Sequence, residues 1–71
     1  MQEKLIILRK KKGVLQKDLC NYLGISLASY SFKENGKQQF TGDEMFKIAE
    51  YFKMKVDDIF LPRVHQNGVK E

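Results

Sequence analysis

Tryptophan is absent, and cysteine, histidine and proline occur once each, as Cys20, His65 and Pro62. A single thiol has no partner within the chain, so no internal disulfide forms, and one cysteine with one histidine gives no cluster at zinc-ligand spacing. The longest apolar run, Leu5 to Leu8, falls far short of the roughly 20 residues that span a bilayer. No apolar segment precedes a small-residue cleavage site in the manner of a secretory signal. Glycine-rich phosphate loops are missing, and no nucleophile stands in pattern with a histidine. A chain with these absences is expected to be neither an enzyme nor a metalloprotein, to need no cofactor, and to be soluble in a reducing cytoplasm. With 71 residues it is expected to form one domain held by helix packing alone.

The sequence has more positive charge than negative. Thirteen Lys and Arg against nine Asp and Glu give a net charge of +4, which by itself is a modest pointer to a polyanionic partner. Position says more. Arg9, Lys10, Lys11, Lys12, Lys17, Lys33 and Lys37 face only Asp18 and Glu34 in the same stretch, so the basic excess belongs to one half of the chain.

Gln16 to Lys37 carries the most information. Leu19, Cys20 and Leu23 recur at the spacing of a helical apolar stripe, which predicts a helix over Gln16–Leu23. Gly24 then turns the chain, and Ser26 is a good N-cap for a second helix from Leu27 to about Asn35, with Ile25 and Tyr30 at the two hydrophobic-staple positions. Gly36 closes it. Before this pair, a helix is predicted from Met1 to about Lys12, with Leu5 and Leu8 inward and a basic last turn that suits the helix dipole. After it, Thr41-Gly42-Asp43-Glu44 is a capping box that starts a fourth helix. Phe40 and Met45 can staple that helix, and Met45, Ile48, Ala49 and Phe52 share its core face. A short fifth helix follows from Val56 to Leu61, stopped by Pro62, and residues 62–71 read as a polar tail.

The order of these signals resembles the lambda repressor and Cro type of helix-turn-helix DNA-binding domains, from about Leu5 to Phe60. The resemblance rests on Arg9 to Gly13, Gln16, the turn of Leu19, Leu23, Gly24, Ile25 and Ser26, Glu34-Asn35-Gly36-Lys37, Ile48-Ala49, and Asp57-Asp58-Ile59-Phe60. Departures are visible as well. Leu15 stands where similar proteins carry a Thr or Ser cap, Lys53 and Lys55 where they often have Gly and Ser, and Lys33 where they usually have an apolar core residue.

The resemblance implies an all-α, five-helix DNA-binding domain over residues 1–61. By its pattern, Gln16, Ser26, Ser29, Asn35 and Lys37 contact the DNA backbone, while Leu27, Ala28, Ser31 and Phe32 face the bases. Lys33 is expected to pack its stem and send its ammonium to a phosphate. Arg9 and Glu34 occupy positions that form a buried bidentate pair. The implied function is a sequence-specific regulator of transcription, a small Cro-like repressor that binds double-stranded DNA, sits at the nucleoid, and works as a homodimer on a near-palindromic site. Phe60 and Leu61, with Tyr51 and Val64, are the expected dimer contacts, although Phe60 could equally close the monomer core. One feature favours a different class. Three of the four base-facing positions are apolar, and such a strip suits a protein-interaction module of antirepressor type as readily as it suits DNA.

Overall fold

A computed structural model describes residues 1–60, and those residues contain five helices and no strand. They are α1 (Glu3–Lys11), α2 (Gln16–Leu23), α3 (Leu27–Glu34), α4 (Gly42–Phe52) and α5 (Val56–Phe60). The predicted end of the fifth helix at Leu61, the stop at Pro62, the 62–71 tail and the contacts at Leu61 and Val64 lie outside the described residues. Helix α1 is shorter at both ends than the sequence suggested. Helix α3 ends at Glu34 with Asn35 as its cap.

Four of the helices end in the same way. After α1, α2, α3 and α4 the chain enters the left-handed region, at Gly13, Gly24, Gly36 and Lys53, with φ of 69°, 74°, 85° and 56°. Each end carries the paired bonds of a Schellman motif, which satisfy carbonyls the helix leaves open. At α2, Gly24 N–H donates to Asn21 O at 3.2 Å and Ile25 N–H to Cys20 O at 3.1 Å. At α3, Gly36 N–H donates to Lys33 O at 3.3 Å and Lys37 N–H to Phe32 O at 2.8 Å. A second constraint holds Gly36: a Cβ there would stand 2.7 Å from the Met1 nitrogen, because the first residues lie against this turn and Gln2 N–H donates to Glu34 O at 2.9 Å. Lys53 makes the same turn with a side chain, in a conformation that costs an L-residue about 1–2 kcal/mol.

The helix starts differ in quality. Thr41 and Glu44 form both halves of their capping box, with Glu44 N–H on Thr41 Oγ1 at 3.1 Å and Thr41 N–H on Glu44 Oε1 at 2.9 Å. Ser26 Oγ accepts Ser29 N–H at 3.0 Å at the head of α3. Leu15 has no acceptor to offer α2, so only the reciprocal half survives there, from Leu15 N–H to Asp18 Oδ2 at 2.9 Å. The sequence reading overlooked Asp18 in this role.

Every helix contributes to one core. Leu5 comes from α1, Leu19 and Cys20 from α2, Tyr30 from α3, Ile48 and Ala49 from α4 and Ile59 from α5, with Phe40 entering from the loop. Helix α2 packs on both α3 and α4, and α5 packs on α4 and α1. The Phe40 ring lies edge-on between Tyr30 at 5.7 Å and Phe60 at 5.5 Å. Phe60 is therefore partly buried in the monomer core. Among the described residues no helix is long and apolar enough to cross a membrane.

Candidate nucleic-acid interface

Helix α3 is positioned from within by a carboxylate. Glu34 is 1% exposed and receives four side-chain hydrogen bonds from three helices. Arg9 of α1 grips it with both arms of its guanidinium, Nε to Oε2 at 2.9 Å and Nη2 to Oε1 at 3.1 Å. Gln16 of α2 donates Nε2 to Oε1 at 2.7 Å, and Tyr30, one turn earlier on α3, donates its hydroxyl to Oε2 at 2.8 Å. The remaining guanidinium nitrogen of Arg9, Nη1, donates to Val14 O at 3.0 Å.

Such a cluster meets the condition under which burying charge is tolerated, since the two ions are paired and, among the described residues, no buried side-chain nitrogen or oxygen lacks a partner. Burial alone would push the Glu34 carboxyl up, but the bonds from Arg9, Gln16 and Tyr30 outweigh it and hold the group below the usual carboxylate value. Its bond to Glu34 raises Arg9 further, against the pull of burial. Tyr30 is pushed up, first by burial and then by the neighbouring carboxylate.

A second carboxylate fixes the far side of the same helix. Lys33 Nζ lies 2.7 Å from each carboxylate oxygen of Glu44, and both side chains are largely buried, at 11% and 14% exposure. Lys33 thus departs from the expectation that its ammonium reaches a phosphate. The stem packs as expected, but the charge turns inward onto the first turn of α4. Glu44 serves two helices at once, capping α4 and pairing with α3. Burial tends to raise its carboxyl, and the bonds from Lys33 and Thr41 more than offset this, so it titrates low.

The outer side of α3 carries the other side chains that the family pattern singles out. Leu27 is 49% exposed and Phe32 46%. Ala28 is exposed, while Ser29 and Ser31 are half-buried. Leu27 and Ser31, and Ala28 and Phe32, are four residues apart and form two adjacent rows on one face. Asn35 Nδ2 reaches Ser31 Oγ at 3.4 Å. Lys37, set by the turn at Gly36, holds its ammonium 5.9 Å from the centroid of the Phe32 ring, within cation–π range. Gln16 is half-buried beside Glu34, and its amide keeps a second N–H for another acceptor. Of the basic residues between Arg9 and Lys37, two are consumed by Glu34 and Glu44. Lys10, Lys11, Lys12, Lys17 and Lys37 stay exposed, against Asp18 alone.

Two residues of this arrangement went unread in the sequence. The Tyr30 hydroxyl could have been found from its i, i+4 spacing to Glu34. The second role of Glu44 was signalled only by a lysine in a core position.

The helix-turn-helix family matches residues 5–59. The chain belongs to it. Over 61 residues, 86% of this chain and 92% of the relative, the chain is 36% identical to an uncharacterised HTH-type transcriptional regulator of Methanocaldococcus jannaschii. No solved structure matches the chain significantly.

Proposed function

We propose that this helix-turn-helix protein is a DNA-binding regulator of transcription, a small Cro-like repressor that lays α3 in the major groove. The observation that carries the reading is the outer side of α3, a set of outward side chains bordered by the exposed Lys37 and fixed from behind by two buried ion pairs. The family membership and the relative named as a transcriptional regulator support it. Gln16, Ser26, Ser29, Asn35 and Lys37 contact phosphates, and Leu27, Ala28, Ser31 and Phe32 meet the bases. Lys33 is left out, its charge being spent on Glu44. The protein works in the cytoplasm on chromosomal DNA.

Binding is dimeric, with two copies of α3 in successive major grooves about 34 Å apart on a near-palindromic operator. Phe60 is partly buried against Phe40, and a second apolar surface is open to a partner copy. Ile7 and Phe46 are 65% and 67% exposed, and Met54 borders two depressions that together join α1, α4 and α5. One is edged by Glu50, Asp57 and Lys55, the other by Lys4, Lys11 and Asp58. Their net charges are opposite, which a two-fold pairing sets against each other.

Selection of duplexes from a random pool, followed by titration at several salt concentrations, tests the reading. Enrichment of a near-palindrome with steeply salt-dependent affinity is expected. Lys37→Ala should lower the salt slope by about one unit, and Phe46→Glu should shift the sedimenting species to monomer. The exposed Leu27 and Phe32 favour one competing reading, a protein-interaction module. That reading gains if no sequence is enriched.

A further inference from the structure

The structure withdraws hydrogen-bonding groups from the α3 surface and leaves hydrocarbon forward. The Lys33 ammonium is spent on Glu44, and one amide hydrogen each of Gln16 and Asn35 is engaged by Glu34 and Ser31, which leaves their remaining groups, like the Ser26 hydroxyl that caps the Ser29 N–H, for phosphates and not for base edges. Leu27, Ala28 and Phe32 stay open on adjacent rows, and Lys37 sits over the Phe32 ring. The Lys37 ammonium thus places a cation at the edge of the apolar strip, where a phosphate would lie.

Within the major groove the base edges offer acceptors, donors and a single apolar feature, the C5-methyl group of thymine. Cytosine methylated at C5 carries the same methyl in the same place. We infer that α3 reads C5-methyl groups of pyrimidines through Leu27, Ala28 and Phe32, and that these contacts, not hydrogen bonds to base edges, set its sequence preference. Ser31 is the one hydroxyl in the strip and discriminates weakly, since it can donate or accept. The inference rests on the DNA-binding reading above. A protein partner for the same strip is disfavoured by the surrounding charge. Five exposed lysines against one exposed aspartate between Lys10 and Lys37 match a polyanion better than a neutral protein surface.

The test uses the full chain and the duplex enriched by selection, with each thymine replaced singly by deoxyuridine, which removes one methyl and keeps every hydrogen-bonding group. At one or more positions in each half-site the substitution should weaken binding about three- to tenfold, on the scale of one buried methyl. A second arm places C·G or 5-methyl-C·G at the sensitive position. The methylated pair should bind better than the unmethylated pair by a similar factor, whereas a reader restricted to thymine treats the two alike. Phe32→Ala and Leu27→Ala should abolish the difference between thymine and uracil duplexes while retaining binding to scrambled DNA, with unchanged helical circular dichroism as the check on folding. If the parent binds the duplex with steep salt dependence but ignores every uracil substitution, methyl readout is wrong and the DNA-binding reading stands. If no duplex is bound at all, both fall together.

Discussion

The inner side of α3 carries Tyr30, Lys33 and Glu34, all buried, while the outer side carries Leu27 and Phe32, each about half exposed. Beside the Tyr30 ring that packs on Phe40, the inner side thus buries two charged groups that an ordinary amphipathic helix turns to water, and the outer side exposes two large apolar ones that it would bury. The difference separates two kinds of interaction. Apolar packing is non-directional and would let α3 slide or roll, whereas hydrogen-bonded ion pairs fix distance and angle. Arg9, Gln16 and Tyr30 on one carboxylate, and Lys33 on another, define where α3 stands relative to α1, α2 and α4. Leu27 and Phe32, which take no part in that fixing, are left for recognition outside.

If the inner side holds the helix, its removal should be the most damaging change in the domain. Glu34→Ala leaves the Arg9 guanidinium, the Tyr30 hydroxyl and the Gln16 amide without their acceptor. A buried pair broken from one end costs about 3–5 kcal/mol, a large share of the stability of so small a domain. Denaturant unfolding should show that loss, and a midpoint equal to the parent's would mean that α3 is held by packing alone.

The second pair should count for less and be asymmetric. Glu44→Ala removes the partner of Lys33 and half of the α4 capping box, for about 2 kcal/mol. Lys33→Met keeps the stem volume but leaves the Glu44 carboxylate with its Thr41 bonds alone, and because that carboxylate keeps some contact with water, at 14% exposure, its cost should be smaller, about 1 kcal/mol. Equal losses in the two variants would indicate that the lysine charge, not the glutamate's double service, matters at this junction.

Acid should probe both carboxylates at once. Each titrates below its ordinary value in the folded protein, so each contributes stability that is fully present above the unfolded glutamate value of about 4.3. That contribution fades as pH falls through the folded values. The unfolding midpoint should hold steady toward neutral pH and decline on the acid side. Glu34→Gln, though less stable overall, should decline less steeply.

How far the sequence disclosed this arrangement follows from what kind of signal each part leaves. Helix boundaries on Gly24, Ser26, Gly36 and Thr41 were readable because turn and cap chemistry is local, encoded within four residues. The left-handed turn at Lys53 was marked only through the family pattern, which often has Gly there, since a lysine itself has no local propensity for that conformation. Arg9 and Glu34 were paired through the family pattern, not through any spacing between residues 25 positions apart. Gln16 was assigned outward to a phosphate and is in fact shared with Glu34, and Lys33 was sent outward but turns in. Both differences have one cause: a polar side chain on a helix start or rim can reach either solvent or core, and a sequence without coordinates does not say which acceptor is nearer.

The smallest expected stability effect belongs to the outer side, and it is the sharpest test of the contrast. Phe32→Ala gives up about half of a phenylalanine's burial, about 1 kcal/mol by area, together with the Lys37 contact. In return alanine is the better helix former by a few tenths of a kcal/mol, roughly half the span among ordinary residues. The net change should stay under about 1 kcal/mol in a thermal or denaturant melt. The same substitution should weaken binding to the selected duplex by about 1–3 kcal/mol, the scale of one mismatched base pair, with little change on scrambled DNA. A variant that loses stability as heavily as Glu34→Ala would show that Phe32 belongs to the fold, and the division of α3 into a holding side and a reading side would fail at that residue.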